Sequence, residues 1–188
     1  MSFNRTLFDD FVTSLNLKYF NSGELLVGRY REGNGPPPLK LWHNIAPTIT
    51  IVDALREELG SSVKIISAYR SEAYNNNGNA GRAKLSQHQA YTALDIQTPG
   101  HSVESVATLL TGWQNSKWFY CPLDFQRKAE RVKAGNIPFG ELPRKFNLGV
   151  FGVWFTFRGY IKAYPSKSSN FVHIDTRGDL AGSGAEGD

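Results

Sequence analysis

The sequence predicts an α+β fold: a small antiparallel sheet with helices packed against it, carrying one inserted lobe. Three observations lead there. Apolar residues recur at helical spacing in two stretches of the first sixty positions. Short strand-like runs stand at 63–67 and 93–97, and two more near the C-terminus flank a proline-bearing turn, as in a hairpin.

Taken in order, Phe3, Leu7, Phe8, Phe11 and Leu15 predict an amphipathic helix over 3–16. Residues 22–40 read as an irregular arm ending in Gly35-Pro36-Pro37-Pro38, which regular helix or central strand excludes. A second helix starts near Pro47, with Ile49, Val52, Leu55 and Leu59 as its apolar face and Gly60 as its stop. Residues 63–67 are a buried strand, and 69–85, with Asn75-Asn76-Asn77-Gly78-Asn79, a surface loop. On the strand at 93–97, Leu94 and Ile96 share one face and Asp95 points to the other. Ser102 caps a helix bearing Val103, Val106, Leu109 and Leu110. Residues 114–148 form the inserted lobe, 157–164 and 170–175 a hairpin joined through 165–169, and 178–188 a frayed tail. The expected organisation is an N-terminal helix and arm over 1–40, a main domain over 41–178 and a tail over 179–188.

Composition narrows the function. A chain of 188 residues, 40% hydrophobic and 20% charged, can bury a full core without staples. The single cysteine, Cys121, excludes an intramolecular disulfide and a cysteine-based metal site. The first residues lack the basic and apolar segments of a secretory signal, and no run approaches the roughly 20 apolar residues of a membrane span. The expectation is synthesis in the cytoplasm, with another route outward if the substrate lies outside. A net charge of +4 favours anionic partners weakly. Nucleic acid lacks support from any binding motif or long basic run, and anionic cell wall fits the charge equally well. Oligomeric state is not legible.

The chemistry lies in stretches far apart in the chain. His88, in the polar loop beside Ser86 and Gln87, precedes Asp95 by seven residues. In the run Phe171-Val172-His173-Ile174-Asp175, alternate residues face one way, so Phe171, His173 and Asp175 point together. Two imidazoles and a carboxylate are a ligand set that zinc takes at catalytic sites, leaving a fourth position for water. Asp175 beside His173 serves as proton-accepting base or as a partner that orients the ligand. Ser67-Ala68-Tyr69-Arg70 offers a guanidinium suited to a substrate carboxylate.

These residues carry a resemblance. Tyr69-Arg70-Ser71, Tyr74-Asn75, Ser86 and His88, Ala93 and Asp95, and Phe171-Val172-His173-Ile174-Asp175-Thr176-Arg177-Gly178 are similar in order and spacing to the zinc D-alanyl-D-alanine peptidases. That family includes D,D-carboxypeptidases and L-alanyl-D-glutamate endopeptidases of phage lysins, and is distantly related to the hedgehog domain. The resemblance covers roughly 45–113 and 157–178. It implies a hedgehog/DD-peptidase-like fold, Zn2+ held by His88, Asp95 and His173, and a peptidoglycan peptide as substrate. Arg70 would bind a substrate carboxylate or the oxyanion, with Tyr69 and Ser86 beside it. Several branches carry an acidic base shortly before the C-terminal histidine, where Lys167 and Asn170 stand here. Asp175 is then the candidate base; if it only braces the site, a non-catalytic metal-holding wall-binding module is the alternative.

Other residues receive plainer readings. His43 is a packing or capping residue, His101 faces solvent, and Asp53 and Glu57 form a solvated surface. Trp154, Tyr160 and Tyr164 fill core more readily than they border a groove.

Overall fold

Strict alternation along two strands sets the architecture. Leu94 and Ile96 on one strand and Val172 and Ile174 on another are completely buried, so their shared face must lie on hydrophobic packing. The computed structural model describes residues 3–77, 85–122, 153–167 and 170–177. Its main sheet has four antiparallel strands in the order β1 (Lys64–Ser67), β2 (Ala93–Gln97), β6 (Phe171–Asp175), β5 (Tyr160–Tyr164). A two-stranded ribbon pairs β3 (Phe119–Cys121) with β4 (Val153–Phe155). The helices are α1 (Arg5–Ser14), α2 (Ser22–Leu25), α3 (Ala46–Leu59), α4 (Glu72–Asn76) and α5 (Val103–Trp113), with a 3-10 helix over Leu39–Ile45 leading into α3.

The α+β class, the hairpin of β5 and β6 and the helices around 3–16, 47–59 and 103–113 agree with the sequence reading. Asn4 caps α1 by accepting the Leu7 N–H at 3.0 Å, and Ser102 caps α5 by accepting that of Ser105 at 3.1 Å. Gly60 ends α3 in the left-handed region, φ +57°, which glycine adopts without strain.

Several segments differ from expectation. The polar loop at 69–85 opens with α4, capped by Ser71, whose Oγ accepts the Tyr74 N–H at 3.1 Å. One and a half turns are too short to leave a periodic apolar signature. The irregular arm holds α2, opened by a capping box between Asn21 and Glu24. The first residues of the expected lobe form β3; its bulk and the tail at 179–188 lie outside the described residues. The strand expected over 157–164 starts at Tyr160 instead. Just before it, Gly159 is pressed onto the Asp175 carbonyl, where an added Cβ would come within 1.8 Å of the oxygen.

One hydrophobic cluster unites these parts. Phe8 and Phe11 of α1 contact Trp42 with ring centroids 4.9 and 5.7 Å apart, and the same cluster takes in Leu55 of α3 and the inner face of β2 and β6. Asp53, expected on a solvated face, accepts the backbone N–H groups of Lys18 and Tyr19 and ties the α1–α2 connection to α3. The N-terminal arm also grips the segment carrying Arg70. Asn34 donates to the Tyr69 carbonyl at 3.2 Å and accepts the Ser71 N–H at 2.8 Å.

Candidate metal centre

The sheet's other face is polar, and its register assembles a site. Ser67 lies opposite Asp95, Asp95 opposite His173, and His173 opposite Lys162. Four strands thus place four side chains in one row on one face. His88 arrives from outside the sheet. Its segment folds back at Tyr91, φ +57°, and the Tyr91 N–H is donated to the His88 carbonyl at 3.2 Å. The His88 carbonyl also accepts the Arg70 N–H at 3.2 Å, locking the loop to the end of β1.

His88, Asp95 and His173 therefore converge, all buried, each offering a ligand atom within 4.8 Å of the others. Asp95 Oδ1 stands 3.1 Å from His88 Nε2 and 2.8 Å from His173 Nδ1. A tetrahedral ion with bonds of about 2.0–2.1 Å separates its ligand atoms by roughly 3.3 Å. The donor set fits zinc in chemistry and in spacing.

The proton positions argue the same way. His88 Nδ1 lies 2.6 Å from the Ala68 carbonyl oxygen, which accepts only a proton, so Nδ1 carries the hydrogen. Burial pushes the pKa of His88 down, against the opposing pull of Asp95, and keeps the ring neutral. Its Nε2 lone pair then faces a carboxylate oxygen, a repulsive pairing that a cation between them turns attractive. On the other side His173 lies between two carboxylates, with Nε2 3.2 Å from Asp175 Oδ2. Burial alone lowers its pKa, but hydrogen bonds to Asp175 and Asp95 outweigh this and raise it to about 9. Binding a cation at Nδ1 would displace that proton while Nε2–H still donates to Asp175. Each imidazole thus has an orienting acceptor on its far nitrogen, the arrangement usual for metal-bound histidine.

Both carboxylates are ionised. Burial would raise Asp95, yet the hydrogen bond and charge of protonated His173 hold it well below the usual carboxylate range. Its second oxygen accepts from Arg70 Nη2 at 2.6 Å, while Arg70 Nε donates to Ser67 Oγ at 3.1 Å. Asp175 is likewise held low by His173 and Arg177 against the effect of burial. Arg177 clasps it through Nε, 2.9 and 3.1 Å from the two oxygens, and Nη2, 2.5 Å from Oδ2. The Arg177 backbone N–H adds a bond to Oδ1 at 3.1 Å.

The remaining expected residues take different places. Ser86 is buried, and its Oγ accepts the His88 N–H at 3.4 Å, supporting the loop. Tyr69 packs edge-on against Tyr91 at 6.0 Å. Lys167 and Asn170 are exposed. Trp154, read as core, is 65% exposed, and Tyr160 and Tyr164 are half-buried on the site's face of β5. His101 is engaged rather than solvent-facing, with Nε2 3.0 Å from Ser61 Oγ, and His43 stacks on Phe11 as a packing residue.

Sequence reasoning missed the roles of Arg177, the Ala68 carbonyl and the Arg70–Asp95 pair. It also missed a buried polar set beneath the site. Thr48 Oγ1 donates to the Thr92 carbonyl and meets Thr176 Oγ1, both at 2.7 Å. Only for Arg177 was there a signal: two residues beyond Asp175 in an extended run, it falls on the same side.

Residues 18–121, more than half of the chain, match the family model described as Peptidase M15. The matched stretch holds Arg70, His88 and Asp95, and His173 lies beyond it. No curated protein and no solved structure matches the chain.

Proposed function

The chain belongs to the peptidase M15 family, and on that premise we propose that it is a zinc-dependent peptidase hydrolysing the stem peptides of peptidoglycan. Membership makes it a metallopeptidase with a peptide substrate; the wall peptide and the bond are the proposal. A D,D-carboxypeptidase and an L-Ala-D-Glu-type endopeptidase both fit, acting on cell wall after export, release or carriage by a phage particle. The convergence of His88, Asp95 and His173, each with one ligand atom within 4.8 Å of the others, is the observation that carries this reading.

Zinc held by these three residues supplies a Lewis acid that polarises the scissile carbonyl and makes water nucleophilic near neutral pH. The chain's own residues prepare that chemistry. Ala68 and Asp175 fix the two imidazoles through their far nitrogens, so each presents a lone pair in one direction. Arg70 holds Asp95 by one oxygen and leaves the other to the ion. Asp175 acts as a brace rather than a base, because Arg177 and His173 already occupy both of its oxygens. A base needs an open lone pair within about 3 Å of the proton it takes.

That last point favours a second reading, a metal-holding wall-binding module without turnover. Among the described residues, the two acids bonded to the cluster are both fully engaged. Incubating the purified protein with muropeptides, with zinc and then with a chelator, separates the two. Zinc-dependent cleavage products identified by mass support the peptidase. Wall binding with no product under any zinc condition supports the module, and product formed equally with chelator sinks the zinc chemistry. Asp175→Asn tests the brace. A brace loses zinc affinity about 10- to 100-fold, whereas a base would keep zinc and lose turnover.

A further inference from the structure

With Arg70 bound to Asp95 and Ser67, a different cation lies on the same sheet face as the centre. Lys162 is the outermost member of the row Ser67, Asp95, His173, Lys162, directly across the β5–β6 ladder from a ligand histidine. It is half-buried, and among the described residues no carboxylate pairs with it. Its Nζ sits 4.8 Å from the centroid of the Tyr164 ring. That ring stacks on Phe171 with centroids 4.5 Å apart and planes 14° from parallel. Tyr164 and Phe171 are themselves partners across the same ladder. The result is a stacked aromatic pair with an ammonium over its Tyr164 ring, one strand spacing from His173.

An ammonium beside a stacked aromatic pair, with no acidic partner among the described residues, is an arrangement for binding an anion that carries apolar substituents. The spacing agrees. Adjacent strands lie about 4.8 Å apart, and an extended peptide advances about 3.4 Å per residue. A carboxylate one or two residues from the scissile carbonyl therefore falls near Lys162 when that carbonyl is at the metal centre.

We propose that Lys162, with Tyr164 and Phe171, forms a subsite that selects peptide substrates bearing a free carboxylate within two residues of the cleaved bond. This rests on the peptidase reading above. The carboxylate could be the C-terminal one or that of a γ-linked glutamate, and the experiment distinguishes them.

The test uses the full-length zinc-loaded chain and a synthetic stem pentapeptide in three forms: the free acid, its C-terminal amide, and the form with the γ-linked glutamate carboxyl amidated. Wild type should prefer the free acid over one of the amides by about 10-fold in kcat/KM, carried by KM, as a charged hydrogen bond made equally in ground and transition state does. The amide that loses identifies the carboxylate. Lys162→Met keeps the aliphatic stem over Tyr164 and should bring acid and amide within about 2-fold. Lys162→Arg should keep the preference.

An unchanged preference in Lys162→Met, or none in wild type, overturns the subsite while leaving the peptidase intact. If no form is cleaved, the peptidase reading has failed, and calorimetric Kd values for the same peptides decide the subsite separately. Tighter binding of the acid by wild type but not by Lys162→Met sustains it, and equal binding in both ends it.

Discussion

Two faces of the same pair of strands are buried to the same degree yet built on opposite rules. On one face of β2 and β6, Leu94, Ile96, Val172 and Ile174 contribute hydrocarbon to a cluster that extends to α1 and α3. Any one of these contacts is shared with many neighbours, and dispersion and desolvation have no direction. On the other face, Asp95, His173 and Asp175 are equally hidden, but each polar atom has specific partners. Losing one apolar group costs in proportion to what is removed. Losing one polar partner strands a buried charge or releases a ligand.

Removing a ligand should produce the largest effect. His88→Ala should lower zinc affinity by more than about 100-fold, beyond what loss of an orienting partner costs, and abolish hydrolysis. Competition against a chromophoric chelator measures it, and an affinity within 10-fold of wild type would remove His88 from the centre. Next comes the brace. Arg177→Met removes the guanidinium clasp from buried Asp175, leaving it only His173 and backbone N–H groups, and should cost about 3–5 kcal/mol of stability. Urea unfolding gives the value, and a loss under about 1 kcal/mol would mean the polar face is as forgiving as the apolar one.

The apolar counterpart is Leu94→Ala, expected to cost about 3 kcal/mol through a cavity. Zinc affinity of the folded variant should stay within about 3-fold of wild type, because the strand's backbone and Asp95 remain in place. A large fall in zinc affinity there would show that the two faces are coupled.

The smallest effect concerns a polar group on the apolar side. His43 stacks on Phe11 in the core, and burial lowers its pKa to about 4. In the unfolded chain it titrates near 6.5. Below that pH the unfolded state takes up a proton that the folded state refuses, so the contribution is complete above pH 6.5 and is lost as pH falls toward 4. At pH 4.5 this amounts to about 2.5 kcal/mol. Comparing wild type with His43→Phe at pH 7 and pH 4.5 isolates it, since acid effects on the carboxylates and on zinc are common to both. Equal pH sensitivity in the two proteins would discount His43.

Much of the fold was legible because its signals are local. The caps at Ser102 and Gly60 act within one turn, and the alternation that separates Asp95 from Leu94 and Ile96 is a property of extended backbone itself. The same alternation put Phe171, His173 and Asp175 on one face. The trio that could hold a metal stood out by its residue types and order, and the match to the peptidase M15 family model agrees with the family resemblance. Less visible were features whose partners lie elsewhere. Nothing near Arg70 announces that it ends on Asp95, 25 residues on, and the carbonyl of Ala68 has no side-chain signature at all. Trp154, read as core, is exposed because it lies on the open side of the β3–β4 ribbon, next to Tyr120 at 5.3 Å.

By itself the sequence determined the element types, the two-sided character of β2 and β6 and a donor set suited to zinc, since these follow from composition and short-range periodicity. Tertiary structure alone decided which side chains share the site. Pairing β2 with β6 sets Asp95 against His173 across 78 residues of chain, and pairing β5 with β6 brings Lys162 alongside. Register over such distances is fixed by which face must be buried, a condition that many segments satisfy jointly and none satisfies alone.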